Sequence, residues 1–203
     1  MLLAIDTSTA ACTAALFDRT GRCIAQRDEP IGRGHAERLV PMIEELIERH
    51  CARRILVGVG PGSFTGIRVG IAAAQGLAIG WEAELSGMSS LALLACGAAP
   101  QTSVAAAMKG GHGELFVQQF DGEPLAPSTP LLNLPPEQAA EQISAETVIG
   151  PGAVELVAAR GWGEAIDAWP SAANVLKLSD ELRSLPPRPL YARAPDARAK
   201  EAA

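Results

Sequence analysis

Ile55-Leu56-Val57-Gly58-Val59-Gly60-Pro61-Gly62-Ser63-Phe64-Thr65-Gly66 carries the chain from an apolar run, through a glycine-rich turn, into a helix predicted over Phe64 to Ile79. A buried strand of this kind followed by a loop and a helix is a unit of α/β folds. Glycines let backbone amides approach an anion, and a helix N-terminus adds a favourable dipole, so the loop suits a phosphate. It is not a P-loop, because no Gly-Lys-Ser/Thr follows and the one nearby cation is Arg68. The alternative is a tight turn with Ser63 as the helix cap.

The helix after the loop is apolar almost all round. Gly66, Gly70 and Ala74 repeat at four-residue spacing, Ile67, Ile71, Leu77 and Ala78 supply bulk, and Arg68 is the only charged residue between Arg54 and Glu82. Such a helix must be covered on all sides, by its own domain or by a partner helix.

Working outward, Leu2 to Ile5, Cys12 to Phe17 and Arg22 to Gln26 read as a three-stranded meander. If Asp18-Arg19-Thr20-Gly21 is its turn, Cys12 faces Arg27 and Cys23 faces Leu16. Ala36, Leu39, Val40, Ile43, Leu46 and Ile47 recur at helical spacing, with Pro41 expected to kink the helix or mark a late start. A short strand near Leu85 and a helix from Ser90 to Cys96 end the first half. Gly97 to Thr102 reads as a boundary. Strands at Ser103 to Met108 and Glu114 to Phe120 then flank a glycine-rich turn, followed by a helix from Pro136 to Ile143 and a strand at Thr147 to Ile149. Gly150-Pro151-Gly152 and a helix from Ala153 to Arg160 repeat the strand, Gly-Pro-Gly, helix order of the first half.

With 203 residues, about 70% of the unfolded surface can be buried without disulfides or a structural metal. Lys and Arg number 17 against 23 Asp and Glu, a net charge of −6 that is the wrong sign for a broad phosphate-gripping face. The longest apolar stretch, Ile55 to Trp81, contains Arg68 and is broken by Gly and Pro, so no membrane span is expected. Met1 to Asp6 has no basic segment and meets an acid at once, unlike a signal peptide. The four cysteines show no metal-site spacing, and reduced thiols in the cytoplasm are the expectation. The basic excess at Arg183, Arg188, Arg193, Arg198 and Lys200 reads as a solvated tail, with order expected to about Arg193 and not beyond Pro195.

Chemistry-bearing clusters are sparse. His35 is followed four residues on by Leu39, so no HxxxH metal pair forms, and His50 and His112 are solitary. Ser63 is not in a G-x-S-x-G elbow. Asp6, at a strand end, is placed either to hold a magnesium-bound phosphate or to accept from the amides of Ser8 or Thr9 in a turn.

Ala4-Ile5-Asp6-Thr7-Ser8, His35-Ala36-Glu37-Arg38-Leu39-Val40-Pro41, Gly60 to Gly70 and Pro189-Leu190-Tyr191-Ala192-Arg193 together resemble the TsaB (YeaZ) family, bacterial components of the machinery that makes threonylcarbamoyladenosine in tRNA. The resemblance implies an α/β protein of two actin-like (ASKHA, ribonuclease-H-like) domains. Each would be a mixed sheet with flanking helices, one over residues 1–98 with partner-binding helices and one over 99–203 with a flexible tail. It implies a non-catalytic scaffold that pairs with the TsaD transferase, recruits the TsaE ATPase, meets tRNA only through the complex and pairs with itself when alone. TsaC would supply the threonylcarbamoyl-adenylate. No cofactor and no metal are required on this reading, with ATP as a ligand at the complex interface.

By the same resemblance, Asp6, Thr7, Ser8, Gly150 and Gly152 form the nucleotide or phosphate loops. Leu39, Ile43, Ile47, Phe64, Ile67, Gly70, Ile71 and Ala74 form the partner interface, so a Gly70→Glu chain is expected to fold yet lose its partner. Leu39 replaces a metal histidine of TsaD-like proteins, Ser8 replaces the glycine of the phosphate strand, and Ala105-Ala106-Ala107-Met108 lacks the second phosphate aspartate. A small-molecule kinase or a metallopeptidase of the same superfamily is the competing reading.

Overall fold

The structure, a computed structural model, describes residues 1–48, 50–98 and 102–191. Leu2–Asp6 (β1) and Ala11–Phe17 (β2) are buried at every position. Such unbroken runs belong to a sheet covered on both faces. Cys23–Pro30 (β3), largely exposed, is the edge strand. Its register corrects the sequence expectation: Cys12 lies opposite Glu29, and an irregularity between Leu16 and Phe17 sets Cys23 opposite Phe17. The bulge and the strand-end pairing move the register without bringing the two cysteines together.

Next comes His35–Ile47 (α1), which buries Leu39, Met42, Ile43 and Leu46 and runs on through Pro41. Neither the kink nor the late start is needed to seat it, because Pro41 is on the exposed side, where the carbonyl that loses its amide partner meets water. Arg54–Gly58 (β4), Phe64–Trp81 (α2) and Glu84–Met88 (β5) complete a sheet ordered β3-β2-β1-β4-β5. β1, β4 and β5 are parallel, and β2 and β3 are antiparallel to their neighbours. Both crossover helices pack on one face, in a core of Leu3, Ile5, Leu39, Ile43, Ile67 and Ile71.

Ser90–Ala95 (α3) and a single turn at Cys96–Ala98 lead to the second sheet. Its strands are Ser103–Lys109 (β6), Leu115–Asp121 (β7), Ala126–Pro127 (β8), Leu132–Leu134 (β9), Thr147–Ile149 (β10) and Glu164–Ile166 (β11). They run in the order β11-β10-β6-β7-β8, with β9 also on β7. Pro136–Gln142 (α4) and Ala153–Arg160 (α5) cover its outer face over Ala105, Ala107, Val117, Ala139 and Leu156. Between the two sheets lies a shared core, in which α3 and a 3-10 helix at Ala172–Lys177 meet Leu2, Phe17 and Leu56 on one side and Val104, Phe120 and Ile149 on the other. The chain is therefore an α/β protein of two mixed sheets with flanking helices, stacked as five layers.

The segment after residue 170 returns to the first sheet. Ala172 N donates to Thr13 Oγ1 at 2.8 Å, and Thr13 in turn donates to Asp28, which also accepts from Ser171 Oγ. Gly87 and Leu185 form a bridge, Ser89 N donates to Leu182 O, and Leu190 N donates to Val59 O. Arg183 and Arg188 thus belong to a docked segment and not to a solvated tail, a correction whose physical cause is this backbone pairing. Arg193, Arg198 and Lys200, and the expected end of order near Arg193, lie outside the described residues. So does Ala99, at the expected boundary between the halves. Among the described residues no helix is long and apolar enough to cross a membrane.

Candidate functional site

A cleft of about 900 Å³ opens between the halves. Its walls come from the β1–β2 turn (Ser8, Thr9, Ala10), the start of α1 (Arg33 to Glu37), the start of α2 (Gly62 to Gly66), the end of β6 (Met108, Lys109) and Phe116, Pro151 and Trp169. The residues expected to hold a nucleotide do not converge there as ligands. Asp6 is fully buried behind the wall. Its Oδ1 accepts from Ser8 N (2.8 Å) and Ser8 Oγ (2.6 Å), and its Oδ2 accepts from Ser90 Oγ (2.6 Å). Burial pushes its carboxyl above the usual range despite those three bonds. Thr7 Oγ1 donates to Gly66 O at 2.7 Å.

Gly150 and Gly152 are close-approach positions. A Cβ on Gly150, whose φ is +129, would collide with Ala107 O and Leu94, and one on Gly152 would lie 2.9 Å from Leu115 Cδ2. These five residues, with both Asp6 oxygens and the Thr7 and Ser8 hydroxyls engaged inside the protein, do not fit a magnesium-bound phosphate. On the opposite wall Lys109 is paired with Glu155.

The Gly60-Pro61-Gly62-Ser63 loop is a packing device. Gly62, at φ +147, leaves no room for a Cβ against Ser8 O, and Ser63 N donates to that same carbonyl at 2.7 Å. Ser63 caps α2, its Oγ accepting from Gly66 N at 3.2 Å. Gly66 and Gly70 then lie directly on Thr7, so the loop and the first two turns of α2 clamp the β1–β2 turn.

This clamp corrects the expected partner face. Leu39, Ile43, Ile67, Gly70, Ile71 and Ala74 are buried in the chain's own core, and Ile47 is half-buried against it. No partner helix reaches them without opening the sheet. Of the eight residues, Phe64 alone is exposed, at 56%. The same helix carries a second four-residue stripe, Phe64, Arg68, Ala72, Gly76 and Gly80, exposed at every position and continued by Ile79 at 81%. On α1, Val40, Glu44 and Glu48 are exposed as well. Two small-residue stripes at identical spacing made the inner one the more conspicuous. The signal for the outer one is Arg68, a charge that has to face water.

A family model described as TsaD, tRNA N6-adenosine threonylcarbamoyltransferase, matches residues 29–125. The tRNA threonylcarbamoyladenosine biosynthesis protein TsaB of Escherichia coli (strain K12) is 36% identical over 127 residues, 59% of this chain and 54% of that protein. The protein of the same name from Haemophilus influenzae is 40% identical over 99 residues, 46% of this chain and 41% of its own length. The match therefore spans about half the length of these curated relatives. The solved structure of YeaZ from Pseudomonas aeruginosa superposes with a TM-score of 0.79 at 30% identity, covering 94% of this chain and 98% of that one. A match of that identity over nearly the whole of a solved relative, with the same two-sheet architecture, means that the chain belongs to the TsaB/YeaZ family.

Proposed function

We propose that the chain serves tRNA threonylcarbamoyladenosine biosynthesis as a non-catalytic cytoplasmic subunit. It docks a TsaD-type transferase, holds it competent, and recruits a TsaE-type ATPase to the pair. The observation that carries this reading is the outward side of α2, an exposed stripe of small and apolar residues with one charge, on a helix whose opposite side is already buried. An exposed apolar helix face of this length calls for a covering partner, and small residues let a helix approach closely. The names of the relatives supply the pathway.

The competing enzymes need groups that are otherwise engaged. A kinase needs Asp6 at a phosphate, and Asp6 is enclosed by Ser8 and Ser90. A metallopeptidase needs a second histidine where Leu39 fills the core. On this reading tRNA is met only through the complex, ATP enters at the interface with the transferase, and the chain alone pairs with itself through the same helix face.

Reconstitution tests the proposal. With TsaC-type, TsaD-type and TsaE-type partners from one organism, tRNA modification is expected to require this chain, and the chain without the transferase is expected to modify none. Ala72→Glu on the outer stripe should abolish transferase binding with the melting temperature unchanged. Threonylcarbamoyl transfer by the chain alone would sink the proposal.

A further inference from the structure

Arg68 is exposed, yet it is held in place on two sides. Its guanidinium carbon sits 3.6 Å from the centroid of the Phe64 ring, and its Nε donates to Tyr191 Oη at 3.0 Å. The Tyr191 ring stacks on Phe64 with centroids 5.7 Å apart and planes at 29°. Tyr191 is itself positioned by the neighbouring backbone bond from Leu190 N to Val59 O, 2.8 Å long. A guanidinium fixed this way has given up much of its rotamer freedom before any ligand arrives, which lowers the entropy lost on pairing.

Its terminal nitrogens point to no acceptor of the chain: among the described residues Arg68 makes no ion pair and no hydrogen bond beyond the one to Tyr191. Other ordered arginines differ. Arg38 is bracketed by Glu29 and Glu45, Arg183 by Asp180, and Arg160 by backbone carbonyls. The two rings against Arg68 are themselves exposed, Phe64 at 56% and Tyr191 at 48%, and Leu190, the residue before Tyr191, is exposed at 43%. An arginine ringed by aromatic groups is the composition of an interface anchor.

We propose that Arg68 is the anion anchor of the outward side of α2, and that the docked protein seats a carboxylate side chain across its two terminal nitrogens with apolar flanks on Phe64, Leu190 and Tyr191. The planar fork of the guanidinium matches a carboxylate in two parallel bonds. A phosphate backbone is the poorer fit, because gripping it takes several cations and α2 offers one on a chain of net charge −6. The inference rests on the docking reading above, since Arg68 lies one turn before Ala72 in the same stripe.

Titration calorimetry of the full chain against the TsaD-type transferase tests it. Arg68→Gln and Arg68→Lys are each expected to weaken binding by roughly tenfold or more with unchanged melting temperature. Amide replacement of exposed Asp and Glu side chains on the transferase should reveal one that weakens binding to the unchanged chain by a similar factor and adds nothing to Arg68→Gln. Wild-type affinity for Arg68→Gln, alongside loss of binding by Ala72→Glu, would remove the anchor and leave the docking reading standing. No binding by the unchanged chain overturns both. A single-stranded RNA oligonucleotide that binds the chain and loses affinity on Arg68→Gln, with transferase binding intact, would assign the arginine to phosphate instead.

Discussion

The chain builds the same unit twice, a buried strand, Gly-Pro-Gly and a helix, and completes the two differently. After Gly60-Pro61-Gly62 the helix runs 18 residues and presents one stripe to Thr7 and another to the outside. After Gly150-Pro151-Gly152 it runs 8 residues and ends at Gly161 in the left-handed region, its amide donating to Val157 O. Arg160 then fastens that end: its side chain donates to the carbonyls of Ala145, Glu146 and Trp162 and covers the Trp162 ring at 3.7 Å. In both units the glycines serve close packing against a neighbouring strand or turn. What distinguishes them is the helix: one runs on with an exposed small-residue stripe from Phe64 to Gly80, and the other is stopped at Gly161 and fastened by Arg160.

The largest effect should separate the two sides of α2. Gly70→Glu forces a charge against Thr7 and Val57 and is expected to cost about 4 kcal/mol or more, enough to unfold the chain. Gly76→Glu, with open space around its Cβ, should stay within about 0.5 kcal/mol of the parent. Urea unfolding of both measures the contrast, and equal losses would erase it. This replaces the expectation that a Gly70→Glu chain folds and merely loses its partner.

A smaller effect should come from the second loop. Gly150→Ala combines a positive φ with a collision at Ala107 O and is expected to cost about 2–3 kcal/mol, while Arg160→Ala should cost about 1–2 kcal/mol through unpaired carbonyls. Neither should alter transferase binding once the variant is folded. Loss of binding by folded Arg160→Ala would show that the second unit also contributes to docking.

The smallest effect concerns Asp6, which lies behind the first loop where the second has only Ala105 to Ala107. Its folded pKa lies above the ordinary 3.8 because burial penalises the charge. The stability it contributes is therefore full below that ordinary value and is lost as pH rises through the folded pKa. The melting temperature of the parent relative to Asp6→Asn should be highest in acid and decline as pH rises above about 4. A difference independent of pH would mean that Asp6 is as well stabilised charged as neutral.

Much of this was legible in the sequence. Continuous apolar runs located β1, β2, β4 and β6, and the spacing of Leu39, Ile43 and Leu46 located α1. The 3-10 helix at Ala172–Lys177 carries no helical period, and β8, β9 and β11 are too short to show alternation, so none of them was anticipated. Ser90, which donates to the second oxygen of Asp6, is 84 residues away and has no local signature. The choice between the two stripes of α2 was likewise tertiary: Gly66-Gly70-Ala74 and Ala72-Gly76-Gly80 have the same spacing, and contact with Thr7 decides which turns inward. The Phe64, Arg68 and Tyr191 cluster joins residues 123 positions apart.

The return of residues 171–191 to the first sheet bears on how the protein is made. Leu2, Ala4, Ala15 and Phe17 leave the ribosome well before Ala172, Val175 and Leu178, which belong to the layer that covers them. Until that later segment emerges the first sheet has one apolar face without its full cover, and a surface of that kind is where nascent chains aggregate or engage chaperones. The first sheet is thus completed by a segment made long after it, and a chain that stops before residue 171 lacks part of the layer that joins its two sheets.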